Sequence, residues 1–155
     1  MAEADPPYSS YAAIASAFVG GLTLAAALGH ALHRDPRELR ALDLLTLSAA
    51  TFKVARTISH DKVTSFLREP FVEEEAYNGD EHPAGEGMQR AIGELVTCTR
   101  CVGAWVAAGL GTAQIVTPRF GRLLTWSFAA AAANDFLQAG FVALERKSEA
   151  LSERV

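Results

Sequence analysis

The chain has 155 residues, a mass of 16.5 kDa and a formal net charge of −4 from 14 basic and 18 acidic side chains. This length predicts a single domain. The acidic balance argues against a nucleic-acid partner, because a nucleic-acid-binding protein needs a basic surface to neutralise phosphates. Half of the residues are apolar, which excludes a largely disordered chain. Two cysteines are too few for a disulfide scaffold.

Three long stretches carry almost no charge. Residues 11–32 and 102–118 contain no formal charge, and residues 123–144 contain a single one, Asp135. A helix over the 22 residues of the first stretch is about 33 Å long, enough to cross the roughly 30 Å hydrocarbon core of a bilayer. That stretch also lacks the polar face that helices of soluble bundles carry. We therefore predict an all-α integral membrane helical bundle with three transmembrane helices.

The charged segments around these stretches predict the domain organisation. We expect a polar N-terminal tail over 1–10, one membrane domain over 11–147 with an acidic loop over 72–90, and a C-terminal tail over 148–155. Residues 61–94 hold nine acids against three bases, together with glycine and proline, which is typical of a solvated loop with at most one short helix. Because the N-terminal flank is acidic, we expect a retained anchor with its N-terminus outside rather than a cleaved signal peptide.

Residues 41–60 are predicted to form an amphipathic helix, with Lys53 and Arg56 in a polar stripe at helical spacing. Such a helix either lies in the interface plane or crosses the membrane as a fourth span. With the N-terminus outside, three spans place 12 Lys and Arg residues inside and 2 outside, whereas four spans place 5 inside and 7 outside. Positive charge accumulates inside, and a Lys or Arg at a helix centre costs about 2.5–3.5 kcal/mol. Three spans plus an interfacial helix are therefore favoured.

Small residues recur at every fourth position of the first stretch. This small-residue ridge consists of Ala13, Ala17, Gly21, Ala25 and Gly29. Small side chains at this spacing let two helix backbones approach closely in a membrane. The ridge predicts packing within the monomer or, as the functional alternative, contact with a membrane-protein partner or a second copy.

The last uncharged stretch has two polar residues near its middle, Asn134 and Asp135. A carboxylate at that depth is costly and normally finds a partner or a water-filled cavity. Lys53 or Arg56 is the expected partner of Asp135 if the second helix packs beneath the transmembrane helices. A buried polar network that fixes helix register is favoured over an ion or proton site.

Cys98 and Cys101 form a C-x-x-C pair just before the second uncharged stretch. At a helix start the dipole and Arg100 favour the thiolate, which is both the nucleophile and the metal ligand. The pair is a redox dithiol, half of a zinc site completed by His60, His82 or a second protomer, or two small apolar residues packed at the membrane surface. Zinc is the single cofactor considered, since Walker, dinucleotide-binding, nucleophile-elbow and zinc-protease motifs are absent from the sequence.

Two segments together resemble a known family. ATFKVARTISHDKVTSFLREPF (Ala50–Phe71) followed by LVTCTRCVGAWVA (Leu95–Ala107) is similar to the bacterial DUF1360 family of small membrane proteins, over roughly 39–143. The residues that carry the family pattern are Arg56, Asp61, Leu67, Arg68, Cys98, Cys101 and Trp105. The family's function is unknown, so the resemblance implies a membrane location and no reaction.

The resemblance also groups part of these residues into one polar cluster at one membrane face. The cluster comprises Arg56, Asp61, Arg68, Cys98 and Cys101. A salt bridge from Asp61 to Arg56 or Arg68 is the simplest physical reason for them to gather.

These patterns predict a small multi-pass protein of the bacterial inner membrane. Its expected role is a non-enzymatic accessory or assembly subunit, whose polar cluster is structural or binds a partner. The expected partners are the lipid bilayer and a membrane protein or a second copy of the chain. The alternatives are a membrane thiol redox protein that uses Cys98 and Cys101, and a zinc-stabilised dimer.

Overall fold

The computed structural model describes residues 6–34, 40–73 and 81–152, and it is built from helices. The helices are α1 (Tyr8–Ala31), α2 (Ala41–His60), α3 (Ser65–Arg68), α4 (Gly87–Thr97), α5 (Thr99–Val116) and α6 (Pro118–Ser152). Two 3₁₀ turns, Lys62–Thr64 and Glu69–Phe71, flank α3. Within the described ranges, strand-like pairing is limited to one isolated bridge between Val72 and Pro83. The predicted all-α class is confirmed.

Helices α2, α5 and α6 form the core of the bundle. The hydroxyls of Ser59 and Thr99 lie 2.7 Å apart at one end of the α2–α5 pair. One turn further along, a Cβ on Gly103 would lie 3.9 Å from the Cβ of Ala55. As the residue number rises on one helix it falls on the other, so α2 and α5 are antiparallel. The core is made of small residues such as Ala50, Ala55 and Ala132, which let the helix axes approach closely.

Helix α6 turns back along α5 directly after Pro118. Gln114 Nε2 donates to Thr125 Oγ1 over 2.8 Å, and Gly121 is buried against the backbone of Ala113. These contacts make α5 and α6 an antiparallel pair. Since α2 is also antiparallel to α5, α2 and α6 run in the same direction.

Helix α1 packs outside this core, against α4 and α5. The Phe18 and Trp105 rings pack edge to face with centroids 5.1 Å apart. Sixteen residues after Phe18, just beyond the end of α1, the Arg34 guanidinium donates over 3.0 Å to the carbonyl of Ile115, which lies ten residues after Trp105. Residue numbers therefore rise together on the two helices, and α1 is parallel to α5.

The four long helices thus alternate in direction, and the bundle has two distinct ends. The cysteine end holds the start of α1, the end of α2 and Cys98; the Arg34 end holds Arg34, the end of α5 and the start of α6. The predicted three-span arrangement, with α2 in the interface plane, stays a prediction. Among the described residues, α2 runs alongside α5 and α6.

Helix α4 is the one that lies across the bundle. It meets α5 at an angle of 84°, with the bend at Cys98. By length and composition, α1 is the one clear candidate membrane span among the described residues, and α4 with α5 meets the same criterion only as a bent pair. The bend positions Cys98 at a corner between two helices.

Several predicted boundaries can be compared with these elements. The helix predicted over 41–60 is confirmed as α2. The tail predicted over 1–10 is helical from Tyr8, where α1 begins, and the tail predicted over 148–155 is helical as far as Ser152, where α6 ends. Residues 1–5 and 153–155 lie outside the described ranges.

The acidic loop predicted over 72–90 is interrupted by α4, which begins at Gly87. Gly87 has a positive φ of 57°, a backbone conformation that glycine adopts without penalty. Residues 74–80 of this loop lie outside the described ranges. The segment after them returns to the bundle through backbone hydrogen bonds that include Ala84 N–H to the Phe71 carbonyl, 2.8 Å.

Candidate functional site: the cysteine end of the bundle

Cys98 and Cys101 are joined as a disulfide at the start of α5, with their Cα atoms 5.2 Å apart. Cys98 is the N-cap residue of α5, and its Sγ accepts a hydrogen bond from the backbone N–H of Cys101 over 3.3 Å. Cys98 is half-buried and Cys101 is exposed. The positive end of the helix dipole lies beside both sulfurs, so on reduction this site stabilises a thiolate at Cys98.

Thr99, between the cysteines, fixes the pair to the end of α2. Its hydroxyl lies 2.7 Å from Ser59 Oγ and 3.2 Å from His60 Nε2. Ser59 is buried, whereas Arg100 is exposed. The start of α5 is therefore held in place on one side and open to solvent on the other.

Arg68 is the most enclosed charged residue described at this end. Its side chain is fully buried, and its Nε and Nη2 donate to the two carboxylate oxygens of Glu81 over 2.8 and 3.0 Å. Its Nη1 donates to the backbone carbonyls of Ile58 and Asp61 over 2.6 and 3.2 Å. Those carbonyls belong to the last turn of α2 and its C-cap, where backbone carbonyls have no intrahelical N–H donor. Arg68 therefore joins the end of α2 to Glu81 in the acidic loop.

The expected salt bridge from Asp61 to Arg68 or Arg56 is not what the described residues form. The Asp61 carboxylate accepts from Thr57 Oγ1 over 2.8 Å, one helical turn back, and Asp61 meets Arg68 through its backbone carbonyl. The carboxylate that pairs with Arg68 is that of Glu81. Arg56 is exposed on α2. The structure thus brings Asp61, Arg68 and the cysteine pair to one end and leaves Arg56 outside that group.

Glu81 is the residue that sequence reasoning missed. It is one of nine acids within 61–94, and no spacing separates it from the others. Its side chain is 7% exposed, in contrast to a typical carboxylate in a solvated loop. The nearest sequence signal is Pro83, two residues on, which joins the isolated bridge to Val72.

The polar residues predicted to be intramembrane lie half-way along the bundle. Lys53 Nζ lies 2.7 Å from Asp135 Oδ2, and the two side chains are 22% and 42% exposed. The rings of Phe52 and Phe136 stack beside the ion pair with centroids 5.5 Å apart. Asn134 is exposed. The ion pair and the stacked rings together link α2 to α6.

The small-residue ridge of α1 packs against the rest of the bundle at one end only. Gly29 is buried, and a Cβ there would lie 2.9 Å from Ile115 Cγ2. Ala25 is half-buried, whereas Ala13, Ala17 and Gly21 are exposed. The ridge winds around the helix from the bundle to the open side.

Metal ligands do not gather among the described residues, where no group of three or more His, Cys, Asp or Glu side chains is placed to hold an ion. His60 reaches the site only through the Thr99 hydroxyl. His82, the other imidazole considered for zinc, is exposed. In the oxidised pair both sulfurs are committed to the disulfide.

Comparison with known proteins gives one family and two relatives. The family described as a protein of unknown function, DUF1360, matches residues 46–141. Sporulation protein YjcA of Bacillus subtilis is 34% identical over 88 residues, covering 52% of this chain and 75% of that protein. UPF0713 protein YngL of the same organism is 28% identical over 103 residues, covering 65% of this chain and 79% of that protein. No solved structure matches the chain.

Proposed function

The chain belongs to the DUF1360 family, and from that premise we propose that it is a multi-pass membrane protein in which α1, α2, α5 and α6 each cross the bilayer. The alternating directions of the four helices support this arrangement. At 1.5 Å per residue, the shortest of them, α5 with 18 residues, is about 27 Å long, close to the thickness of the hydrocarbon core. Helix α4, which lies at 84° to α5, rests in the interface.

The ion pair supports a spanning α2. Lys53 is one of the two charges, with Arg56, that make this helix costly to bury, and Asp135 Oδ2 lies 2.7 Å from Lys53 Nζ. A charge inside a membrane is tolerated when it pairs with an opposite charge. Four crossings place both chain ends at the cysteine end.

We place the cysteine end outside the cytoplasm. With four spans, the sequence has five Lys and Arg residues in the segments on the Arg34 side and seven on the cysteine side, a difference of two that opposes this orientation under the positive-inside rule. The Cys98–Cys101 disulfide supports the outside, because disulfides persist in oxidising compartments.

A reporter fused after Val155 tests both statements. Four spans with an outside N-terminus predict that alkaline phosphatase is active there and that a fluorescent protein folding only in the cytoplasm is dark. The opposite pattern, with the N-terminus outside, would return α2 to the interface.

The role we propose is a non-enzymatic accessory or assembly subunit. The observation that carries it is the one-sided attachment of α1, which leaves Ala13, Ala17 and Gly21 exposed and a Cβ at Gly21 without any neighbour within 4 Å. Within a bilayer, small residues in such a row are suited to close contact with another helix. The hydrogen-bonded site of Arg68 fits a structural rather than a catalytic use.

Photo-crosslinking in native membranes tests this role. A photoreactive residue at Ala17 is expected to give an adduct of one discrete mass, which identifies either a second copy or a partner protein. The matched control is Val19, exposed on α1 and about 200° around the helix. Equal, diffuse labelling at both positions would show that this face meets only lipid.

A thiol redox role is the second candidate. The specific observation in its favour is the disulfide with an exposed Cys101 and a Cys98 Sγ hydrogen-bonded at a helix N-terminus. Such positions lower the pKa of a cysteine thiol and raise its reactivity. The trapping experiment described in the Discussion separates this role from a structural disulfide.

A further inference from the structure

A cleft of about 620 Å³ lies between α1 and α5 on the side of the Arg34 end. Its walls are apolar and formed by small side chains, among them Ala25 and Ala26 of α1 and Ala107, Ala108 and Gly111 of α5. This volume lies within the range of small-molecule and cofactor sites. The core contacts between α2, α5 and α6 are elsewhere, so the cleft is a feature of the α1 attachment alone.

The cleft exists because the two helices touch at its ends and are kept apart between them. Phe18 packs on Trp105 at one limit, with ring centroids 5.1 Å apart. At the other, Gly29 is so close to Ile115 that a Cβ would lie 2.9 Å from its Cγ2. Between them, a Cβ at Gly111 would meet no atom within 4 Å. The slot is therefore wide enough to hold a chain of methylenes.

One end of the slot is basic. Arg34, His30 and His33 line it there, and none of the described residues that line it is acidic. The Arg34 guanidinium is fixed by donating to the Ile115 carbonyl over 3.0 Å and to the Val116 carbonyl. The cation thus stays at the rim of the slot, and the two imidazoles add N–H donors beside it.

We propose that this cleft binds an anionic phospholipid, with an acyl chain in the slot and the phosphate at Arg34. The proposal rests on the membrane placement proposed above, which puts the Arg34 end at the cytoplasmic leaflet, the side rich in anionic headgroups. The charge of the rim selects an anion, and the apolar walls select a hydrocarbon chain. Basic pockets between transmembrane helices bind anionic headgroups in this manner.

Lipid retention measured by native mass spectrometry tests the proposal. The full chain is released from nanodiscs that contain equal amounts of phosphatidylglycerol and phosphatidylcholine. We expect one phosphatidylglycerol retained per chain, at least about fivefold over phosphatidylcholine. Gly111→Leu fills the slot and is expected to abolish this retention. The matched control Gly109→Leu, on the same helix where a Cβ would also meet nothing within 4 Å, should leave it unchanged.

Two further variants and one competitor separate the parts of the site. Arg34→Gln is expected to reduce the preference for phosphatidylglycerol to less than about twofold, and Arg34→Lys to keep most of it. Soluble glycerol phosphate should not displace the lipid. Displacement by glycerol phosphate would show a phosphate site instead, and equal retention in Gly111→Leu would show only surrounding bulk lipid. Either result would overturn the proposal.

Alkaline carbonate extraction of the cell membranes that contain the chain tests the membrane proposal separately from the lipid site. A chain that is released by carbonate does not span the bilayer, and the proposed function then fails. A chain that stays in the pellet but binds both lipids equally refutes the lipid site alone.

Discussion

Lys53 of α2 and Asp135 of α6 are 82 residues apart in the chain, yet Nζ of one lies 2.7 Å from Oδ2 of the other. Lys53→Met leaves the carboxylate without its cation inside the bundle. With α2 and α6 in the bilayer as proposed, we expect the free energy of unfolding to fall by about 2.5–3.5 kcal/mol, the cost of an uncompensated charge at the centre of a membrane helix. Unfolding by SDS in mixed micelles, followed by circular dichroism, measures this.

The double variant Lys53→Met/Asp135→Leu removes both charges and should be more stable than the Lys53→Met single variant. Asn134→Leu, at the exposed neighbouring position, is the control and should change stability by less than about 0.5 kcal/mol. Losses that simply add in the double variant would mean that the two residues are not coupled.

The buried Arg68–Glu81 pair predicts a large effect at the cysteine end of the bundle. Arg68→Met strands a carboxylate that is 7% exposed and removes the donor to the end of α2. We expect a loss of about 3–5 kcal/mol, seen as a lower Tm in detergent. Arg90→Met, which breaks the more exposed Arg90–Glu94 pair, should cost about 1 kcal/mol or less. Similar losses in both variants would remove the structural role assigned to Arg68.

The cysteine pair predicts which residue attacks in a thiol exchange. The Cys98 thiolate would bond to one sulfur of a partner disulfide and release the other as a thiolate; Cys101 would then displace the partner sulfur and re-form the Cys98–Cys101 disulfide. Cys101→Ser blocks the second step while it keeps the backbone N–H that supports Cys98. We expect a mixed disulfide in Cys101→Ser cells, detected on non-reducing gels after acid trapping and alkylation.

Cys98→Ser is the control, and it should trap little or nothing. Absence of a mixed disulfide in both variants, with a wild-type disulfide that resists mild reductants, would leave the bond a structural one. A redox partner would then have no place in the function.

Two glycines of the α5–α6 region predict opposite responses to alanine. A Cβ at Gly121 would lie less than 3.0 Å from backbone atoms of Ala113 and Gln114, so the helices must separate. We expect Gly121→Ala to destabilise the protein by about 1–3 kcal/mol. Gly109→Ala has open space and should be neutral or stabilising by up to about 1 kcal/mol, since alanine favours a helix. Equal thermal stability of both variants would contradict the close approach of α5 and α6.

The helices were largely readable from the sequence, but their arrangement was not. The polar stripe with Lys53 and the apolar positions around it predicted α2 with its observed bounds, since period and capping are local properties. The stripe equally fits a helix at an interface and one that faces a partner charge. The structure pairs Lys53 with Asp135. No local pattern in the sequence specifies this contact, because the two residues lie on different helices.

The candidate site shows the same division. The family resemblance grouped Arg56, Asp61, Arg68 and the cysteines, and the structure brings all of these except Arg56 together at one end of the bundle. A salt bridge from Asp61 to Arg56 or Arg68 was expected as the simplest reason for the cluster to gather. The Asp61 carboxylate instead accepts from Thr57, and the carboxylate that pairs with Arg68 is that of Glu81, 13 residues further along the chain. No local pattern in the sequence specifies that pair.

The alternating course of the helices has a practical consequence. Helix α1 starts at the cysteine end, and α6 runs from the Arg34 end towards it, so the start of α1 and the end of α6 lie at the same end of the bundle. Two copies can therefore be fused in tandem by a flexible linker with both in native orientation. Such a concatemer, mixed with single copies of a tagged variant, gives a direct count of the stoichiometry of any assembly that the chain enters.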